Sequence, residues 1–193
     1  TYTNDGMLVN WRWLATDPDD IAFNIYRDGT KLNTLPLSSR TNYLDAEGSV
    51  NSNYTVEALS AGKVVETAAA LVLEKGYLNI PLDRPQGGTV QGSSYTYTPG
   101  DASVGDVDGD GEYEIILKWD PTNQCDNGQN GSQNYTGNVY LDCYKLNGTK
   151  LWRIDLGVNI RAGAHYTQFM VYDLDGDGKA EVACKTAPGT IDG

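Results

Sequence analysis

Two acidic nonapeptides carry the residue types and spacing of a cation-binding loop. Asp106, Asp108 and Asp110 stand at alternate positions, Gly109 and Gly111 lie after them, and Glu114 closes the stretch. The arrangement returns 67 residues later as Asp173, Asp175, Asp177, Gly176, Gly178 and Glu181. Both copies read D-x-D-G-D-G-x-x-E. Calcium takes about six to eight oxygen ligands in flexible geometry, and alternate carboxylates on a curling loop supply them. Glycine permits the tight backbone path. The seventh position contributes a carbonyl oxygen, so Glu112 and Lys179 can fill one role despite opposite side-chain charge. Glu114 and Glu181 close the ninth position, directly or through water. An EF-hand would need a glutamate at the twelfth position, where this chain has Leu117 and Cys184. Short apolar runs, not helical stripes, follow both loops. The spacing therefore favours a calcium loop of the kind built into β-repeats over an EF-hand; the bland alternative is a pair of solvated acidic turns.

The elements that position these loops read as strands throughout. In residues 7–14 Met7, Val9, Trp11 and Trp13 would share one face, and in 21–26 Ile21, Phe23 and Ile25 would do so. Arg27-Asp28-Gly29-Thr30 is a hairpin turn, because Asp-Gly supplies the two left-handed residues a tight turn requires. Further strands are expected at 41–44, 53–59 and 63–73. The last is Ala-rich enough to read as helix, but it follows a turn at Gly62-Lys63. Short strands over about 75 residues predict a β-sandwich. Composition changes after Gly76, which sets the expected division at 1–76 and 77–193. In the second part strands are expected at 77–82, 94–98, 115–119, 139–144, 151–156 and 182–185, with Asn147-Gly148 turning between two of them. A 67-residue period with about four strands suits a propeller blade. Little more than one period is present, so the remainder of a closed propeller is expected from a longer protein.

Composition narrows the function classes. The chain carries 14 basic and 26 acidic side chains, a formal charge of −12, and nine of the acids lie in the two loops. Basic side chains nowhere cluster beyond a pair, which argues against nucleic-acid binding by phosphate neutralisation. No run of 18 apolar residues is present, so no membrane-spanning helix is expected. The chain opens on Thr1 without an apolar leader, as a mature or trimmed product would. Three cysteines, Cys125, Cys143 and Cys184, allow at most one internal disulfide; Cys125 can pair with Cys143 across the base of the polar loop 122–138, or all can be free. Loops of this type suit millimolar extracellular calcium, which points to secretion.

Outside the loops a few residues have chemistry to offer. His165 is the only histidine and lies in a small polar stretch with Arg161 and Tyr166. Arginine forks onto a carboxylate, and tyrosine stacks on a sugar ring. Asp120 breaks an apolar strand beside Trp119, as a ligand or calcium contact would. Asp120, Asp142 and Asp155 are the loose carboxylates that a glycoside hydrolase would need as a pair.

Several strings resemble the rhamnogalacturonan lyases of polysaccharide lyase family 11. They include Phe23-Asn24-Ile25-Tyr26-Arg27-Asp28-Gly29, Leu117-Lys118-Trp119-Asp120-Pro121, Leu151-Trp152-Arg153-Ile154-Asp155-Leu156-Gly157 and Arg161-Ala162-Gly163-Ala164-His165-Tyr166-Thr167-Gln168-Phe169. The resemblance implies an all-β fold: a small fibronectin-III-like β-sandwich followed by the first blades of a calcium-containing β-propeller. It implies calcium as cofactor and an acidic plant cell-wall polysaccharide as partner. The implied reaction is β-elimination in a backbone of alternating rhamnose and galacturonate. Asp120 falls at a position associated with substrate contact, and Arg161, His165 and Tyr166 lie in the family's specific string. Family members often carry asparagine where this chain has Gly100. The basic and tyrosine residues implied for catalysis fall in later blades, so no catalytic residue is assigned. The rival reading is a calcium-stabilised carbohydrate-binding or adhesion module without catalysis.

Overall fold

The computed structural model describes residues 1–126 and 135–193, so most of the polar tract of loop 122–138 lies outside the described residues. The described residues are all-β, in several antiparallel sheets. The chain divides into two compact units, Thr1–Asn79 and Ile80–Gly193.

The first unit contains β1 (Tyr2–Thr3), β2 (Gly6–Asn10), β3 (Ala22–Arg27), β4 (Thr30–Lys31), β5 (Asn42–Asp45), β6 (Tyr54–Ser60) and β7 (Lys63–Ala69). They form one sheet in the order β1-β2-β5 and another in the order β4-β3-β6-β7. Alternation places Met7 and Val9 from the first sheet against Ile21, Phe23, Ile25, Tyr54 and Val56, all buried in one cluster. Each such side chain contributes about 1.5 to 3 kcal/mol through the apolar surface it removes from water. The Asp28-Gly29 turn has both residues in the left-handed region, at φ 50° and 80°, and joins β3 to β4 as a two-residue hairpin. The strand expected over 7–14 stops at Asn10. Trp11 still donates its N–H to the Thr41 carbonyl and packs on Phe23. Trp13 is exposed, because no partner strand continues beside it. The Ala-rich 63–73 segment is strand to Ala69, not helix.

The second unit contains β8 (Gly88–Val90), β9 (Ser93–Tyr95), β10 (Tyr97–Gly105), β11 (Glu114–Pro121), β12 (Tyr140–Tyr144), β13 (Lys150–Asp155), β14 (Phe169–Tyr172) and β15 (Glu181–Cys184). β10-β11-β12-β13 is a four-stranded antiparallel sheet; β8-β9 and β14-β15 are hairpins. The strand expected at 77–82 does not form. Pro81 lacks the N–H a ladder needs, and Ile80 packs against the cluster of Tyr97, Leu117, Trp119 and Tyr144 instead. The segment 94–98 is broken at Thr96, whose N–H turns to Thr122 Oγ1. Beyond it β10 runs on through Pro99 and Gly100, which a bulge between Pro99 and Ala102 absorbs. Gly148, at φ 88°, completes a longer β12–β13 connection in which the Gly148 N–H returns to the Lys145 carbonyl.

The 67-residue period is visible in backbone register. Gly105 pairs with Glu114 across the end of the β10–β11 hairpin, and Tyr172 pairs with Glu181 at the equivalent place in β14–β15. Each acidic loop therefore joins equivalent ends of equivalent hairpins.

Candidate functional site

The two acidic loops fold alike because each is organised by its first aspartate. Asp106 Oδ1 accepts from the Gly109 N–H at 2.6 Å, and its Oδ2 accepts from Gly111 at 2.9 Å. Asp173 accepts from Gly176 and Gly178 at 2.7 and 3.0 Å. Those four glycines all have φ between 79° and 93°, a region costly for other residues. Each loop is latched at its far end. Glu114 Oε2 accepts the Val107 N–H at 3.0 Å, and Glu181 Oε2 accepts that of Leu174 at 2.8 Å.

This folding gathers Asp106, Asp108 and Glu114 in one loop, and Asp173, Asp175 and Glu181 in the other, with ligand oxygens within 4.8 Å of one another. Converging carboxylates with all-oxygen donors fit a hard divalent cation such as calcium. Asp110 and Asp177 are not in those trios; their Oδ1 atoms accept the N–H groups of Glu112 and Lys179, both at 2.8 Å. One cationic group at the first loop was missed by sequence reasoning. Lys145, from the β12–β13 turn, places Nζ 2.6 Å from Asp108 and 2.7 Å from Asp110. Hydrogen bonds donated to both carboxylates hold its ammonium pKa above the usual lysine range. An ammonium drawn to this point shows that the first loop attracts positive charge.

The segment carrying Arg161, His165 and Tyr166 is tied to residues 125–126. The Cys125 N–H donates to the Ala162 carbonyl at 3.0 Å, and the exposed His165 sets Nδ1 2.8 Å from Asp126 Oδ2. Gly163 makes this approach possible, since a Cβ there would lie 2.7 Å from Asp126 Oδ1. Arg161 and Tyr166 flank the pair and are half-buried. Asp126 sits in a polar stretch with no periodicity, so nothing in the sequence marks it.

Asp120 belongs to a different group. It ends the apolar run of β11 and is 7% exposed. Its Oδ2 lies 3.9 Å from Lys118 Nζ, which is itself 2.6 Å from Asp101 Oδ2. Burial raises its carboxyl pKa, with nearby Lys118 opposing the rise and Asp101 adding to it. Lys118 was not singled out in the sequence; the signal it offers there is a charge inside an apolar strand.

The other loose carboxylates are occupied. Asp142 is fully buried and accepts from Trp119 Nε1, Tyr144 Oη and Arg153. Asp155 accepts from Asn138 and from the Gly157 N–H. Neither is poised as a general acid. All three cysteines are free thiols, and burial pushes Cys143 up to about 12.

The described residues thus form an all-β protein with two alike acidic loops whose carboxylates could hold a cation. Residues 77–193 match the C-terminal domain of rhamnogalacturonan lyase family 11, and residues 1–72 match the beta-sheet domain of rhamnogalacturonan I lyases. The chain belongs to rhamnogalacturonan lyase family 11. It is 61% identical over 193 residues to the rhamnogalacturonan endolyase YesW of Bacillus subtilis strain 168 and 56% identical to the exolyase YesX of the same organism. In each case 99% of the chain is covered, but only 30% of YesW and 31% of YesX, so the chain spans about a third of these relatives' length. The crystal structure of exotype YesX superimposes with a TM-score of 0.94 at 55% identity, covering 100% of this chain and 32% of that one. A Bacillus licheniformis rhamnogalacturonan lyase gives 0.93 at 57% identity, covering 100% and 33%.

Proposed function

We propose that this chain forms about a third of a secreted lyase that cleaves the rhamnose–galacturonate backbone of pectin by calcium-dependent β-elimination. The observation that carries this reading is identity above one half, along the whole chain, to an endolyase and an exolyase of that specificity. Residues 1–76 are read as a fibronectin-III-like sandwich, a reading supported by two sheets sharing one core. Residues 77–193 are read as the opening of a propeller, supported by the four-stranded β10–β13 sheet and the restart of its pattern in β14–β15. The remaining blades are required for activity, because no residue of this chain is assigned as the base.

The reaction breaks the bond between galacturonate C4 and the rhamnosyl oxygen. A base takes the C5 proton, its electron pair becomes the C4–C5 double bond, and the oxygen departs with the C4–O pair and gains a proton. The difficulty is electrostatic: negative charge develops beside a carboxylate that is already negative. Calcium, when bound, supplies charge neutralisation and rigid loops. Asp106, Asp108, Asp110, Glu114 and the Glu112 carbonyl would hold one ion; Asp173, Asp175, Asp177, Glu181 and the Lys179 carbonyl would hold another. Arg161 would fork onto a galacturonate carboxylate, and Tyr166 would stack on a ring face. His165, with Nδ1 engaged by Asp126, would offer Nε2 to a hydroxyl. Asp120 would accept from a sugar hydroxyl, since a carboxylate near the uronate group would repel it.

The test is ultraviolet absorbance of the full-length protein acting on rhamnogalacturonan, with and without a chelator. A chelator-sensitive rise marks the new conjugated double bond. Polysaccharide binding with no absorbance change would make the protein a calcium-stabilised binding module instead.

A further inference from the structure

Lys118 is an anomaly for the β11 interior. It is 3% exposed and sits on an interior strand of a four-stranded sheet, between Leu117 and Trp119 and paired across the ladder with Leu141. A buried ammonium is costly unless it is paired. Asp101 supplies that pairing at 2.6 Å, and it can do so because of the bulge in β10. The register skips from Pro99 to Ala102, and such a bulge re-aims side chains beside functional sites. One counter-ion satisfies a lysine that serves only the fold. Here a second carboxylate, Asp120, is held within 3.9 Å.

Asp120 has no folding role on the same terms. Its Oδ1 is buried and has no hydrogen-bond partner among the described residues. An unpartnered buried carboxylate oxygen is destabilising, and such groups call for a functional explanation. In this chain Gly100 leaves the room that this placement uses: a Cβ there would overlap Asp120 Oδ2 and approach Lys118 Cε at 3.2 Å. A bulge, a missing side chain, a buried cation and a buried acceptor converge on one carboxylate.

We propose that Lys118 is a positioning residue, which fixes the Asp120 carboxylate as an ionised acceptor for a sugar hydroxyl while Asp101 anchors the lysine in turn. This rests on the reading of Asp120 as a substrate contact. Lys118 itself does not touch the sugar.

The test measures steady-state kinetics of the full-length protein on rhamnogalacturonan for K118M, K118R, D120N and K118M/D120N, with thermal melts of each. K118M is expected to raise KM about tenfold with kcat altered less than about twofold, as for a lost binding contact. K118R should recover most of the loss. In the D120N background K118M should add nothing, because coupled residues are not additive. If K118M does not fold, K118Q alone and with D120N gives the same comparison. Unchanged KM with a lower melting temperature, or additive effects, would overturn the role of Lys118 while leaving Asp120 in place. Unchanged KM in D120N, or no double-bond formation by the parent protein, would remove the Asp120 reading and this proposal with it.

Discussion

The Ala180 N–H, in the second acidic loop, donates a 2.6 Å hydrogen bond to the carbonyl of Asp106, the first residue of the first loop. The Lys179 side chain lies over Gly109 beside it. The two loops therefore support each other through groups that ligate nothing. A cation fixing Asp106 also fixes the acceptor for Ala180. With calcium bound as proposed, stripping it with a chelator is expected to speed hydrogen exchange at the Ala180 amide by about tenfold or more, as local opening becomes easier. Unchanged exchange at that amide would show that the loops are independent.

Asp142 is the buried hub of the β11–β13 face. Replacing it with alanine leaves Trp119 Nε1, Tyr144 Oη and the Arg153 guanidinium without their shared acceptor. Breaking a buried pair in this way costs about 3 to 5 kcal/mol. Denaturant unfolding of Asp142→Ala should show a loss of that size.

Much of this was legible because it depends on local rules. The Asp-Gly turn at 28–29, the buried face of Ile21, Phe23 and Ile25, and both acidic loops follow from residue type and spacing. What was missed depends on partners distant in sequence. The strand expected at 77–82 failed because Ile80 found an apolar cluster and Pro81 could not join a ladder. β10 was hidden because Pro99 and Gly100 look like a break until the bulge is seen. Lys145 and Asp126 gain their roles only when the fold brings them to Asp108 and His165. Asp120 was noticed as a broken pattern, but its unpartnered oxygen needs three dimensions.

His165 is exposed and its pair with Asp126 depends on the absence of a side chain at Gly163. His165→Ala should weaken oligosaccharide affinity several-fold by calorimetry and leave the melting temperature within about 2 °C, as expected for a surface change. Gly163→Ala should lose affinity similarly by displacing Asp126, with a stability cost of about 1 to 3 kcal/mol. Parent-like affinity in both variants would remove this pair from the site.

Asp83 is held by Lys150, whose hydrogen bond lowers the Asp83 carboxyl pKa below the usual range, with Arg153 contributing. A depressed folded-state value stabilises above the unfolded pKa of about 4, and the benefit is lost as pH falls through the folded value. Asp83→Asn should therefore melt below the parent at neutral pH, with the gap closing as pH falls below about 4. A gap constant across that range would contradict the assignment.

The chemistry of the new chain end tests the central claim most directly. Mass spectrometry of oligosaccharides released from rhamnogalacturonan by the full-length protein distinguishes elimination from hydrolysis. Elimination leaves an unsaturated uronate at the non-reducing end, lighter by one water than a hydrolysis product. Unsaturated products are the predicted result. Saturated products, or intact polymer recovered with the protein bound, would contradict it.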